Sequence, residues 1–172
     1  MLSIIKRYLL KIFFAFSVLL GLQFPHFLQQ YELRLQGHFS EATLQLSQYQ
    51  SIANVHFNGD LNALINEHRT SQFSLFRDEG LIIEDSYKRV KTLQQKMGYI
   101  GKPIWFRLKG LVQEIGKPIF RETWSTYQAK IVLNQESIVV GLVFAVLFML
   151  ALEFILYLIK LPMSLFKRKV IS

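Results

Sequence analysis

Apolar residues are distributed along this chain in two ways. Near each end they form an almost unbroken run, and between the runs they recur in stripes with steps of three and four. The first run lies between Lys11 and Glu32, an interval without Asp, Glu, Lys or Arg; within it, Ile12 to Leu22 is apolar except for Ser17. A helix from Lys6 to Phe24 is about 28 Å long at 1.5 Å per residue, close to the thickness of a bilayer's hydrocarbon core. Pro25 is expected to kink or restart the helix, because it lacks an N–H and crowds the preceding turn. The second run, Ser137 to Ile159, is about 34 Å long as a helix and carries one charge, Glu153. Asn134 is placed to cap it, and Glu136 suits the positive end of its dipole. Gly141 and Ala145 form a small-xxx-small step that marks a helix contact.

Between the runs, Phe27, Tyr31, Leu35, Phe39, Ala42, Leu46, Tyr49 and Ala53 define one face of a long helix. Asn58-Gly59 should end it, and Asp60 should cap a short successor with Leu61, Leu64, Ile65 and His68 on its inner face. A second long stripe comprises Phe73, Phe76, Gly80, Ile83, Tyr87, Val90 and Met97, interrupted at Gln94; Gly80 on it suggests a close helix approach or a kink. Nothing alternates with period two for long enough to predict a sheet. The pentapeptide Ile-Gly-Lys-Pro-Ile occurs at 100–104 and 115–119, with Gly placed to close one helix and Pro to open the next. Between the copies, Ile104, Trp105, Leu108, Leu111, Val112 and Ile115 share a face, and Arg107 and Lys109 lie away from it. Such a helix either packs on the long helices or lies at a lipid surface.

The expected fold is therefore all-α, a membrane protein with two transmembrane helices flanking a long extracytoplasmic helical hairpin or bundle. Residues 1–28 hold a basic tail and the first span, 29–133 the helical domain, 134–159 the second span and 160–172 a basic tail. A retained anchor is preferred to a cleaved leader, because no small-x-small cleavage pattern surrounds Gly21 to Phe24.

Composition supports this division. The 172 residues are 51% hydrophobic and 19% charged, with a net charge of +8. Seven cations (Lys6, Arg7, Lys11, Lys160, Lys167, Arg168 and Lys169) lie at the ends, and residues 29–136 hold 13 cations against 11 acids. Short basic flanks keep both termini in the cytoplasm, next to the anionic inner leaflet, and place the central segment outside the cytoplasm. A central net charge of +2 gives no basis for nucleic-acid binding.

The chemistry is sparse. There is no cysteine, which excludes disulfides, thiolate metal sites and thiol nucleophiles. His26, His38, His56 and His68 have no metal-ligand spacing, and no phosphate loop, nucleophile elbow or dinucleotide fingerprint occurs. No catalytic residue, metal or cofactor is expected. Asp78-Glu79 and Glu84-Asp85 are adjacent pairs that point about 100° apart on a helix, so they read as solvated faces. Glu153 is costly in lipid; Lys11 is its candidate pairing partner, and a helix-pairing contact or a protonated surface acid is preferred to an ion pathway. Trp105, Trp124 and Tyr127 are candidate interface or contact aromatics, with core filling as the default for each.

Several strings together resemble a proteobacterial inner-membrane family catalogued only as a domain of unknown function. They are Gln23-Phe24-Pro25-His26-Phe27 with Gln30-Tyr31, Arg34-Leu35, His38 and Glu41-Ala42; Phe57-Asn58-Gly59-Asp60-Leu61 with Leu64-Ile65; Phe76-Arg77-Asp78-Glu79-Gly80; and Arg121-Glu122-Thr123-Trp124 with Tyr127 and Leu133-Asn134. The resemblance covers nearly the whole chain and implies an inner membrane and a periplasmic loop, but no activity. The leading expectation is a non-enzymatic membrane protein whose helical domain binds a protein partner or a second copy. Alternatives are a sensor or accessory subunit acting through a partner, since only 13 residues follow Ile159, and a lipid- or envelope-acting protein using the basic amphipathic helix.

Overall fold

A computed structural model describes residues 2–131 and 133–169, with side chains described for 7–131, 133–155 and Tyr157. The side chains of Lys6, Lys160, Lys167, Arg168 and Lys169, expected to form the basic ends, lie outside this set. The order is α1 (Leu2–His56), α2 (Leu61–Arg69), α3 (Ser74–Met97), α4 (Ile104–Gln113), α5 (Pro118–Thr126) and α6 (Gln135–Lys169), with no strand among the described residues. The chain forms two compact units, Met1–Leu28 with Tyr127–Ser172, and Gln29–Thr126.

In the first unit, the start of α1 packs on α6 through small residues. Ser17, Gly21 and Leu22 are buried on α1, and Ser137, Val140, Gly141 and Ala145 on α6. A Cβ added to Gly21 would lie 2.7 Å from the Gly141 Cα, closer than real Cβ atoms come to backbone. The step Gly141–Ala145 therefore meets a matching step, Ser17–Gly21, and the backbones touch. The Ser17 hydroxyl donates to the Phe13 carbonyl at 2.7 Å, satisfying a polar group inside the contact. Asn134 caps α6, its Oδ1 accepting from the Ser137 N–H at 2.7 Å.

Pro25 neither ends nor restarts α1, which runs through it from Leu2 to His56. Losing one backbone hydrogen bond is tolerated because Leu22, His26, Phe27 and Leu28 around it are all buried and held by packing.

In the second unit, the core joins Ala53 of α1, Leu61, Leu64 and Ile65 of α2, and Ile83 of α3, with Leu46, Tyr49, Phe57 and Tyr87 packed against it. Asn58 and Gly59 both adopt positive φ and stop α1, and the Asp60 carboxylate caps α2 by accepting from Asn62 N at 2.8 Å and Ala63 N at 3.2 Å. Gly80 is a close-approach site: a Cβ there would be 2.9 Å from the Arg69 side chain and 3.0 Å from its backbone N.

The α3 stripe differs from expectation at both ends. Phe73 and Phe76 are exposed, and Leu93 is buried beside the exposed Gln94, so the inner face continues beyond Val90 through Leu93. The two Ile-Gly-Lys-Pro-Ile copies make the same turn, with Gly101 at φ 83° and Gly116 at φ 81°, a region glycine enters without steric cost. Pro103 then precedes α4 as its N-cap, whereas Pro118 is the first residue of α5.

On α4 the buried face is rotated from the expected one. Ile104, Gly110 and Leu111 are buried, and the Arg107 side chain is only 15% exposed. Trp105 and Val112, which share the apolar stripe with Ile104 and Leu111, are exposed on the helix, as is Ile115 just beyond it. The cause is electrostatic. Arg107 reaches Glu32 of α1, and a paired guanidinium can be buried where an unpaired one cannot.

Candidate functional site

The polar side chains of the second unit meet along one stretch of α1. Glu32 accepts a two-pronged contact from Arg107, Nε to Oε1 at 2.8 Å and Nη2 to Oε2 at 2.5 Å, with the Glu32 side chain 10% exposed. Two turns further on, His38 Nε2 lies 2.9 Å from the Glu122 carboxylate of α5. Arg34 approaches the same carboxylate at 3.7 Å and donates to the Thr126 hydroxyl at 2.7 Å. Arg34, Gly37, His38, Glu41 and Glu122 line an open groove. Glu41 is held in turn by Arg89 of α3 at 3.2 Å.

Glu114, in the turn after α4, accepts from Lys96 of α3 at 2.6 Å and from Lys117 at 2.7 Å. Its burial opposes ionisation, but hydrogen bonds from Lys117 and Lys96 outweigh that and hold its carboxyl below the usual range. Tyr31 moves the other way: burial first, then the neighbouring Glu114 charge, raise its phenol well above the ordinary value.

These shifts set a pH window. A carboxyl depressed in the folded state stabilises fully above its unfolded value, near 4.3, and stops doing so as pH falls through the folded one. A raised phenol stabilises below about 10 and loses that contribution at higher pH. Melting temperature in mild detergent should therefore be flat near neutrality and fall on acidification below about pH 4.5. Glu114→Gln should flatten the acid limb relative to the parent, and an unchanged limb would assign it to other carboxylates.

Chemically, the arrangement joins helices. His38 and Glu122 form an oriented imidazole–carboxylate pair, but their side chains are 27% and 47% exposed and Arg34 shares the carboxylate. Exposed pairs of this kind contribute about 0–1 kcal/mol each. No group of three or more metal-ligating side chains gathers among the described residues.

In the first unit, the Tyr127 hydroxyl donates to Gln23 Oε1 at 2.6 Å and lies 3.2 Å from His26 Nδ1, while its ring meets Phe27 edge-on at 5.2 Å. Its phenol is raised by burial.

The residues singled out in the sequence fall in separate places. Trp105 is on the outer face of α4, half exposed; Trp124 is on α5, stacked on Phe120 with centroids 6.5 Å apart. Tyr127 belongs to the first unit and contacts neither span-pairing candidate among the described interactions. Lys11 sits over the Tyr8 ring at 5.7 Å, and Glu153 is exposed on α6 with no ion pair among the described residues.

Sequence reasoning missed the Glu32–Arg107 and His38–Glu122 pairs. Their members are 75 and 84 residues apart, and no periodicity links them. The available signal was the set of strings carrying the resemblance: Arg34, His38 and Glu122 lie in two of them, as do Gln23, His26 and Tyr127, and the fold brings each set together.

Comparison with curated proteins and with solved structures returns no match. A family model does match, over residues 5–164, and takes in both apolar helices and the paired polar residues between them. The chain accordingly belongs to the family described as "Protein of unknown function (DUF2937)".

Proposed function

We propose that this is a two-span inner-membrane protein without enzymatic activity, whose periplasmic helical domain is an assembly surface. The helices Arg7–His56 and Gln135–Ile155 are long and apolar enough to cross a membrane, by length and composition. Only 22% and 17% of their most apolar windows are buried by the rest of the chain, unlike the core helix of a water-soluble domain. The Gly21–Gly141 contact supports a retained anchor, since a cleaved leader would forgo that packing. The cationic ends support cytoplasmic termini.

The observation that carries the assembly reading is the outer face of α1. Leu33, Leu44 and Val55 recur at intervals of 11 residues, three turns, and are 61%, 68% and 76% exposed. Gly37, Ser40, Gln48 and Ser51 lie between them, so the strip is uncharged for its whole length. A long uncharged helix face with regular apolar teeth suits another helix better than water.

Because the chain has no cysteine, topology can be read from single introduced thiols. Gln72→Cys should react with an impermeant maleimide in intact spheroplasts, and Ser3→Cys only after permeabilisation; the reverse pattern overturns the orientation. A photo-crosslinking residue at Leu44 should capture a partner or a second copy in native membranes, whereas one at buried Ala53 should not. Equal, unspecific labelling at the two positions would sink the assembly reading.

A further inference from the structure

We infer that the outer face of α4 docks on the anionic surface of the bilayer in which α1 and α6 are anchored. This inference rests on the two-span reading above. It starts from the rotation of α4. With Ile104, Arg107 and Leu111 turned inward, the opposite face presents Trp105, Lys109 and Val112 at i, i+4 and i+7, flanked by Phe106. The three apolar members are 50%, 63% and 59% exposed for Trp105, Val112 and Phe106. An exposed tryptophan, phenylalanine and lysine on one short helix face form the amphipathic pattern of an interfacial helix.

Charge selects the occupant. From Gly98 to Thr126 the chain carries five cations and two acids. Both acids are engaged within the unit, Glu114 by Lys96 and Lys117, and Glu122 by Arg34 and His38. Arg107 is engaged by Glu32. Lys102, Lys109 and Arg121 remain exposed, with Lys102 also over the Tyr99 ring at 5.1 Å. The surface left by this pairing is basic and aromatic, complementary to anionic headgroups.

Arg107 fastens α4 to Glu32 of α1.

The test uses the full chain in bilayers with brominated acyl chains, which quench tryptophan at close range. In Trp124→Phe the remaining tryptophan is Trp105. Its emission should be blue-shifted and strongly quenched in bilayers containing phosphatidylglycerol, and weakly quenched in phosphatidylcholine alone. Lys102→Gln combined with Lys109→Gln, both at exposed positions, should remove most of the quenching, as should high salt.

A separate reporter, Phe148→Trp on a background of Trp105→Phe and Trp124→Phe, reads the anchoring itself. If it is quenched and Trp105 is not, docking is overturned and the two-span reading stands. If it is not quenched, the two-span reading fails first. Quenching of Trp105 that ignores lipid charge overturns the electrostatic basis. A blue-shifted but unquenched Trp105 assigns the face to a protein contact and also overturns the proposal.

Discussion

Gly21→Leu should unfold the pair formed by α1 and α6 in detergent-solubilised protein, lowering stability by about 3 kcal/mol, the upper end for overpacking a well-packed site. Even the first added carbon is 2.7 Å from the Gly141 Cα and 2.9 Å from the Phe144 Cβ, and backbone cannot swing aside as a side-chain tip can. Gly21→Ala should cost less, about 1 kcal/mol, because alanine's better helix propensity offsets part of the clash.

Gly37→Ala is the control. A Cβ there meets nothing within 4 Å, so the substitution should raise stability by about 0.5–1 kcal/mol through helix propensity alone. The two glycine-to-alanine changes should thus have opposite signs in the same melting assay. If Gly21→Ala instead stabilised the protein, the close backbone contact would be excluded.

Arg107→Met should cost about 3 kcal/mol, the penalty for leaving one member of a buried ion pair without its partner. The charge left behind is Glu32, whose side chain is 10% exposed between α1 and α4. Combining Arg107→Met with Glu32→Leu should recover most of the loss, to within about 1 kcal/mol of the parent, because two apolar side chains of similar volume replace the pair without a stranded charge. The double-mutant cycle in thermal or denaturant unfolding measures the coupling directly. Equal and additive losses in the two single variants would show that the contact carries no specific energy.

The same pair explains why α4 turns a different face inward from the one its apolar residues suggest. The stripe of Ile104, Trp105, Leu108, Leu111, Val112 and Ile115 has the helix period and leaves open whether it packs inward or meets lipid; the structure divides it, with Ile104 and Leu111 inside. The stripe takes no account of an arginine entering the interior, because that is favourable only when a carboxylate 75 residues away is waiting. Burying Arg107 turns Trp105 and Val112 outward, and this creates the surface proposed to meet lipid. At the α3 stripe the error is of another kind: Phe73 is the N-cap and Phe76 lies in the first turn, where their rings meet each other and His68 instead of the core cluster, so both stay exposed despite the right spacing.

What the sequence alone determined is local. The helical stripe on α1, the Asn58-Gly59 stop, the Asp60 and Asn134 caps, the paired turns of the repeated pentapeptide and the two apolar helices each follow from side chains within a few residues, through periodicity, capping and backbone sterics. The tertiary structure decided everything that depends on contacts between distant segments: the passage of α1 through Pro25, the Gly21–Gly141 approach, the rotation of α4 and the pairing of Glu32, His38 and Glu114. Such contacts balance desolvation against pairing across elements, and that balance exists only once the partner has been brought into reach.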